Sequence, residues 1–365
     1  MTKITFSVLL VLLAYGCFAS GEVVLKGRVG DSAVVLHLYY NESTCSGNFF
    51  FANSLFGIEF SGRKKDNDFW FPQMEALHGG HGADTIAVFS LTPKNDTQWL
   101  VKMFRKQAEV VTGTLRACSV RHVNQDSAYD NEKRALFQAT EIERKKINGI
   151  ALTVCGIDKS DIRFVRIESG VPDAALKKIN SSQREMADAA ALQFFGCTSA
   201  NRITDYGFEL SHLFVTGSIL SLEVSGSYYC NNASIEDWSR SYNYDLSSGY
   251  PIELDQVLGL DSLKQKEEGD DDHFPSDEFC DRLVDLLTDL YPQQMEAPEK
   301  DQRCDYTSPD IWRYGSWYFT QEGMFLQPLF RHQEMECGEE VWSVIPYKTI
   351  RKYKAKNFKP ALPGN

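Results

Sequence analysis

Between residues 22 and 118 the chain is a succession of apolar runs, each three to seven residues long and rich in β-branched and aromatic side chains. They are Val34-Val-Leu-His-Leu-Tyr-Tyr40, Asn48-Phe-Phe-Phe51, Phe56-Gly-Ile-Glu-Phe60, Phe69-Trp-Phe71, Thr85-Ile-Ala-Val-Phe-Ser-Leu91 and Glu109-Val-Val-Thr-Gly-Thr-Leu115. Gly47, Ser61-Gly62, Gly79-Gly80 and Pro93-Lys-Asn-Asp96 separate them. Runs this short are too brief for packed helices, and turn residues at this spacing predict an antiparallel meander, sandwich or small barrel. No repeat of fixed period is evident.

The pattern changes after residue 118. Residues 119–147 are polar and charged and read as a linker, partly helical. From residue 148 strands and helices mix. Ile150–Val154 and Ile162–Ile167 read as strands. Leu176, Ile179, Gln183, Met186 and Ala190 recur at helical steps behind Pro172-Asp173, a suitable helix start. Strands are expected around Phe208–Leu210, Ser218–Val224 and Tyr242–Leu246. A second helix is expected over Asp277–Tyr291, capped by Ser276, striped with Phe279, Leu283, Leu286, Leu287 and Leu290, and stopped by Pro292. A hairpin over Trp317–Leu326, a last strand over Val341–Ile345 and a short basic tail complete the expectation.

The first residues read as an export signal. Lys3 supplies a positive start, Phe6–Ala14 an apolar stretch, and Cys17-Phe18-Ala19 a cleavage site, so residues 1–19 are expected to be removed. The apolar stretch is shorter than the roughly 20 residues of a membrane span. Ala14-Tyr-Gly-Cys17 keeps a second end open, lipid attachment at Cys17. Cleavage after Ala19 leaves eight cysteines: Cys45, Cys118, Cys155, Cys197, Cys230, Cys280, Cys304 and Cys337. An even number in an exported chain suggests a disulfide framework. Cys280 and Cys304 flank one helix and its following loop, and Cys45 and Cys118 bracket the β-rich region. These are the two candidate pairings, the other four cysteines being left unassigned. No later segment is apolar enough to span a membrane.

Composition limits function more than it names it. The chain has 365 residues, with 38 Lys and Arg against 50 Asp and Glu, a net charge of −12. That balance argues against nucleic-acid binding, which needs clustered cations. Gly-x-Ser-x-Gly, HExxH, the Walker loop and GxGxxG are all missing from the sequence. His78-Gly-Gly-His81 has a metal-like spacing but lacks a completing ligand set, and reads as a loop. Glu267–His273 is a dense acidic run without the ligand alternation of a calcium loop, and reads as a solvated loop. No catalytic, cofactor or metal residue is therefore assigned. Tyr228, Asn231, Asn232 and Trp238 are the candidate partner contacts, on the loop Ser227–Ala233 and just after it.

Three stretches resemble one family in order. They are Tyr242-Asn-Tyr-Asp-Leu-Ser-Ser-Gly-Tyr-Pro-Ile-Glu-Leu-Asp-Gln-Val-Leu258, Gly315–Phe330 with its Gln321-Glu-Gly323 tip, and Val341-Trp-Ser-Val-Ile-Pro-Tyr-Lys348. Together, over residues 150–353, the chain resembles the extracytoplasmic domain of lysozyme-binding anti-sigma factors of the RsiV type. That module also accompanies polysaccharide deacetylases and other exported bacterial proteins. It implies an α+β domain and a lysozyme-like partner. Ser227–Ala233 departs from the family's Gly-Ala-His type loop, and the family's membrane span and sigma-binding segment have no counterpart in this sequence.

The sequence thus predicts an α+β protein in five parts: a signal peptide (1–19), an N-terminal antiparallel all-β module (20–118), a linker (119–147), a C-terminal α+β domain with two main helices on an antiparallel sheet (148–355), and a tail (356–365). The expected role is that of an exported envelope protein, periplasmic or extracellular. It would bind a basic lysozyme-like protein or a cell-wall glycan without catalysis. The alternative is a hydrolase or accessory domain acting on peptidoglycan or polysaccharide.

Overall fold

The computed structural model describes residues 20–76, 83–105, 110–118, 127–197, 207–228, 236–260, 275–296, 304–330, 337–338 and 342–364. The chain is mostly β and divides into two compact units. The first runs through Gln138 and takes in the end of one long helix from Asp188.

Eight strands in chain order build the first unit: β1 (Ser20–Val29), β2 (Ser32–Asn41), β3 (Thr44–Phe51), β4 (Ile58–Lys65), β5 (Asp68–Ala76), β6 (Ala83–Pro93), β7 (Gln98–Arg105) and β8 (Val110–Ala117). Each pairs antiparallel with the next, and β8 pairs back onto β1, so the sheet closes into a barrel. Closure removes both sheet edges, which are otherwise open to stray pairing. Alternation along each strand sends one set of side chains inward. The interior is a phenylalanine cluster, in which Phe60 and Phe71 stack at 3.9 Å and Phe89 lies 5.1 Å from Phe49 and 5.2 Å from Phe71. The outward positions of β4 are Glu59, Ser61, Arg63 and Lys65, all exposed, the reverse of a lipid-facing barrel wall. Helix α1 (Ala128–Arg134) covers another part of the outside: its Tyr129 ring meets Phe50 edge-on at 5.2 Å and stacks on His37 at 5.8 Å.

The second unit holds three three-stranded antiparallel sheets. β9 (Ala139–Ile147), β10 (Ile150–Ile157) and β11 (Arg163–Ser169) make the first, with β10 in the middle. Helix α2 (Asp173–Cys197) begins behind Pro172, and its buried stripe is Ala175, Ile179, Gln183 and Ala187. Leu176 and Met186, expected on that stripe, are only half buried. β12 (Glu209–Val215), β13 (Ile219–Tyr228) and β14 (Glu236–Asp245) form the second sheet, and β15 (Ser316–Phe319), β16 (Gly323–Gln327) and β17 (Val344–Pro346) the third. Between them come α3 (Leu254–Val257), α4 (Asp277–Leu290), α5 (Pro292–Met295) and α6 (Pro309–Arg313), and α7 (Tyr347–Tyr353) follows β17. Ser276 caps α4 by accepting the Phe279 N–H at 3.2 Å, and Phe279, Leu283 and Leu287 on its inner face are fully buried.

Several expectations need correction. The described part of 119–147 holds the helix expected there, α1, and a strand that was not expected, β9. The charges that suggested a linker decorate an edge strand: Glu141 pairs with Arg144 at 2.5 Å and with Arg166 at 2.8 Å, and Arg166 also meets Glu168 at 2.8 Å. Charge on an edge strand discourages pairing with another chain. The tail from residue 356 packs onto the second unit, with Phe358 and Leu362 buried in its core. That unit carries three small sheets where one sheet under two helices was expected.

The cysteines also depart from expectation. Cys304 bonds Cys337, with Cα atoms 5.5 Å apart, so Cys280 is not its partner. Cys45, Cys118, Cys155 and Cys280 are free. Cys45 points into the barrel and Cys155 and Cys280 are wholly buried. Cys45 and Cys155 act as small apolar side chains, and Cys280 also meets the Arg313 guanidinium. Burial pushes the Cys45 thiol up to about 11. The Cys118 thiol lies 3.9 Å from a Glu132 carboxylate oxygen. Cys230 and the side chain of Cys197 lie outside the described residues, as does Cys17.

Candidate functional site

A strip of polar side chains runs between the second and third sheets of the second unit, and it arises from strand geometry. The edge of β15 is not paired to β14 as a ladder, so its backbone groups need other partners. Side chains supply them. The Phe319 N–H donates to Ser221 Oγ at 2.8 Å, and Asn243 Nδ2 donates to the Trp317 carbonyl at 2.9 Å. Ser221 Oγ in turn donates to Asn243 Oδ1 at 2.5 Å. His212 Nε2 donates to the Phe319 carbonyl at 2.8 Å, its ring stacked on Tyr318 at 4.2 Å. Burial holds this imidazole below the usual histidine range, against the opposing pull of that hydrogen bond.

Glu223 stands on the same strand as Ser221, two residues along, and is 8% exposed. Ser211 Oγ donates to one carboxylate oxygen at 2.9 Å and Ser316 Oγ to the other at 3.5 Å. Ser316 and Ser239 also donate to Gln327 Oε1, at 2.9 and 2.8 Å. Ser241 sits opposite Glu223 in the β13–β14 register, and its buried hydroxyl has no hydrogen-bond partner among the described residues. Burial raises the Glu223 carboxyl above the usual carboxylate range, with the Ser211 and Ser316 hydroxyls opposing it. Burial, then the Glu223 charge, pushes the Tyr318 phenol up to about 12. Such a site is rich in acceptors beneath an exposed serine, and suits a cationic group.

A buried carboxyl with a raised pKa has a definite effect on stability. Its folded form prefers the proton, so the stability it contributes is complete below the unfolded carboxylate pKa. That contribution is lost as pH rises through the higher folded value. Glu223→Gln keeps the shape and removes the titration. The melting temperature of the variant is expected to gain on that of the parent between pH 4 and pH 8. A constant difference across that range would refute the assignment.

Of the candidate contacts read from the sequence, Trp238 is half buried, with its ring 5.4 Å from Phe208. Tyr228 closes β13, but its side chain, like Asn231 and Asn232, lies outside the described residues. His78, His81 and the Glu267–His273 run lie outside them too. The described residues do not bring Trp238 into the Glu223 hydrogen-bond network. Sequence reading passed over Glu223, although it is an acid inside the expected strand Ser218–Val224 whose neighbours are all apolar or small.

No family model matches the chain, and no curated protein matches it. Among solved structures, a member of the DUF3298 family from Bacteroides fragilis is similar at 12% identity and a TM-score of 0.30, over 60% of this chain and 94% of that one. At that distance the functional reading rests on the chain's own residues.

Proposed function

We propose that this is an exported, non-catalytic binding protein whose C-terminal region engages a basic protein. Charge distribution carries the reading. Residues 20–118 hold ten Lys and Arg against ten Asp and Glu and are neutral, whereas residues 119–365 hold 27 against 40, a net of −13. The acidic excess of the whole chain therefore belongs to the part that follows the barrel. An excess of one sign steers a partner of the other sign and raises its association rate. Glu223, buried among hydroxyls and one amide oxygen, offers a hydrogen-bonding seat for an ammonium or guanidinium group. The Cys304–Cys337 bond suits an oxidising compartment, and among the described residues no helix is long and apolar enough to cross a membrane. These support the export that residues 1–19 suggest, whether to the periplasm or outside the cell, free or held by lipid at Cys17. The RsiV-type resemblance makes a lysozyme the first basic protein to try.

The test is calorimetric titration of the mature chain with a lysozyme at low and at physiological salt. Binding is expected, weaker at the higher salt because exposed charge pairs are screened. Absence of heat at both salts, or an affinity indifferent to salt, would remove the basic-partner reading.

A further inference from the structure

The barrel presents an outward face that the basic-partner reading leaves unused. Register places Arg63 of β4 opposite Trp70 of β5, Trp70 opposite Ser90 of β6, and Ser90 opposite Lys102 of β7, all on the outer surface. One step along, Val88 lies opposite Phe104. Trp70 and Phe104 meet diagonally across the small Ser90, with rings 5.6 Å apart and 20° from parallel. Ser90 is 2% exposed although its side chain points outward, so the two aromatics lie over it. Trp70 itself is 36% exposed. Arg63 and Lys102 are exposed and form no ion pair among the described residues. Farther round, an open groove of about 460 Å³ is lined by Arg28, Gln98, Thr112, Thr114, Arg116 and Lys26, the last paired with Glu132 at 2.6 Å. Thr112 pairs with Lys102, so groove and aromatic platform form one continuous strip.

The geometry points to this strip as a binding surface for an acidic polysaccharide, a glycan bearing carboxylates at intervals. The exposed Trp70 ring, backed by the half-buried Phe104 stacked on it, gives an apolar surface against which a sugar ring can lie. The cations flanking it match carboxylates, and the threonines match ring hydroxyls. Charge density separates this ligand from nucleic acid. Strands lie about 4.8 Å apart, so Arg63 and Lys102 are separated by roughly 14 Å across three strand spacings. Duplex DNA carries one charge per about 1.7 Å and needs a denser array. The proposal concerns the barrel alone, so it can fail while the lysozyme reading stands, and the reverse.

The experiment titrates the mature chain with polygalacturonate, neutral dextran, duplex DNA and anionic phospholipid vesicles, at two salt concentrations. Polygalacturonate is expected to bind and dextran not to. Trp70→Ala is expected to weaken binding at least tenfold at fixed salt. Arg63→Gln with Lys102→Gln is expected to weaken it and to flatten its salt dependence. Phe104→Leu, milder in packing, serves if Trp70→Ala does not fold, and is expected to weaken binding several-fold. Failure of polygalacturonate to bind, equal binding of dextran, tighter binding of DNA or vesicles, or unchanged affinity in the folded aromatic variant and the double cation variant would each overturn the assignment. Lysozyme titration of the same variants is expected to match the parent.

Discussion

Gly113→Val is expected to destabilise the barrel strongly. Gly113 and Gly27 sit on the two strands that close it, in neighbouring positions of the β1–β8 register, where Gly27 faces Leu115 and Val29 faces Gly113. A Cβ at Gly113 would stand 1.8 Å from the Arg28 carbonyl oxygen and 2.9 Å from the Val29 Cα. One at Gly27 would stand 2.1 Å from the Thr114 carbonyl oxygen. The obstacles are backbone atoms, so no rotamer change relieves them. Eight strands close only when they coil strongly, and glycines at the corners permit that coiling. Valine at 113 has to push β1 away and break the ladder that completes the barrel. The cost is expected to exceed about 3 kcal/mol, the upper range for overpacking a well-packed site. Gly217→Ala is the contrast, because a Cβ there meets nothing within 4 Å. Its effect is expected to lie within about 0.5 kcal/mol, as for most surface changes. Denaturant unfolding followed by tryptophan fluorescence reads both, Gly113→Val through Trp70 and Trp99 of the barrel and Gly217→Ala through Trp312 and Trp317 of the second unit. A Gly113→Val midpoint equal to that of the parent would show that the closure does not depend on this approach.

The same glycines explain why the barrel was only one of three readings of residues 22–118. The apolar runs are visible as strands because each alternates inward and outward side chains. Whether the first strand meets the last is decided by where the chain can coil sharply, and Gly27 and Gly113 lie almost ninety residues apart with no local signal joining them. Local signals served well elsewhere. Ser276 and Pro292 bracket α4, whose ends follow from capping chemistry alone. β9 was missed for the opposite reason: its Glu141, Glu143, Arg144 and Lys145 look like a solvated linker, and only pairing with β10 makes them a strand. The cysteines were legible in part: two of the expected disulfide residues, Cys304 and Cys337, bond each other, while parity says nothing of which thiols belong to the core. Cys45 falls in step with Gly47 and Phe49 on the inward side of β3, and Cys280 in step with Leu283 and Leu287 on α4, positions where a thiol serves as core. The Glu223 site was half legible. An acid amid Leu220, Leu222 and Val224 is anomalous in any strand, but the serines that meet it come from β12 and β15, about a hundred residues apart.

Cys304→Ser or Cys337→Ser lowers the stability of the second unit by about 3–4 kcal/mol, the loop-closure value for a bond spanning 33 residues. The bond ties together described residues, Cys304–Ser308 and Cys337–Gly338, that lie outside the named strands and helices. Around it Tyr306, Trp312, Phe330 and Trp342 form an aromatic cluster, with Tyr306 and Trp342 edge-on at 5.2 Å and Tyr306 and Phe330 at 5.3 Å. The Tyr306 hydroxyl donates to the Cys337 carbonyl at 2.7 Å, and Trp312 Nε1 donates to the Tyr306 carbonyl at 2.9 Å. These contacts join α6 to the segment entering β17, and each depends on the two segments staying in register. Opening the bond enlarges the conformational space of the unfolded chain and leaves the cluster to hold the segments alone. In a unit of this size the loss is expected to lower the melting temperature by roughly 10 °C. Melts of the parent with and without a thiol reductant, set beside melts of the Cys304→Ser variant, measure it. Near-ultraviolet circular dichroism reports the aromatic cluster in the same samples. Reductant is expected to reproduce the variant in both signals and to leave the variant itself unchanged. A parent that melts at the same temperature in either redox state would mean that the cluster, and not the covalent link, holds this part of the chain.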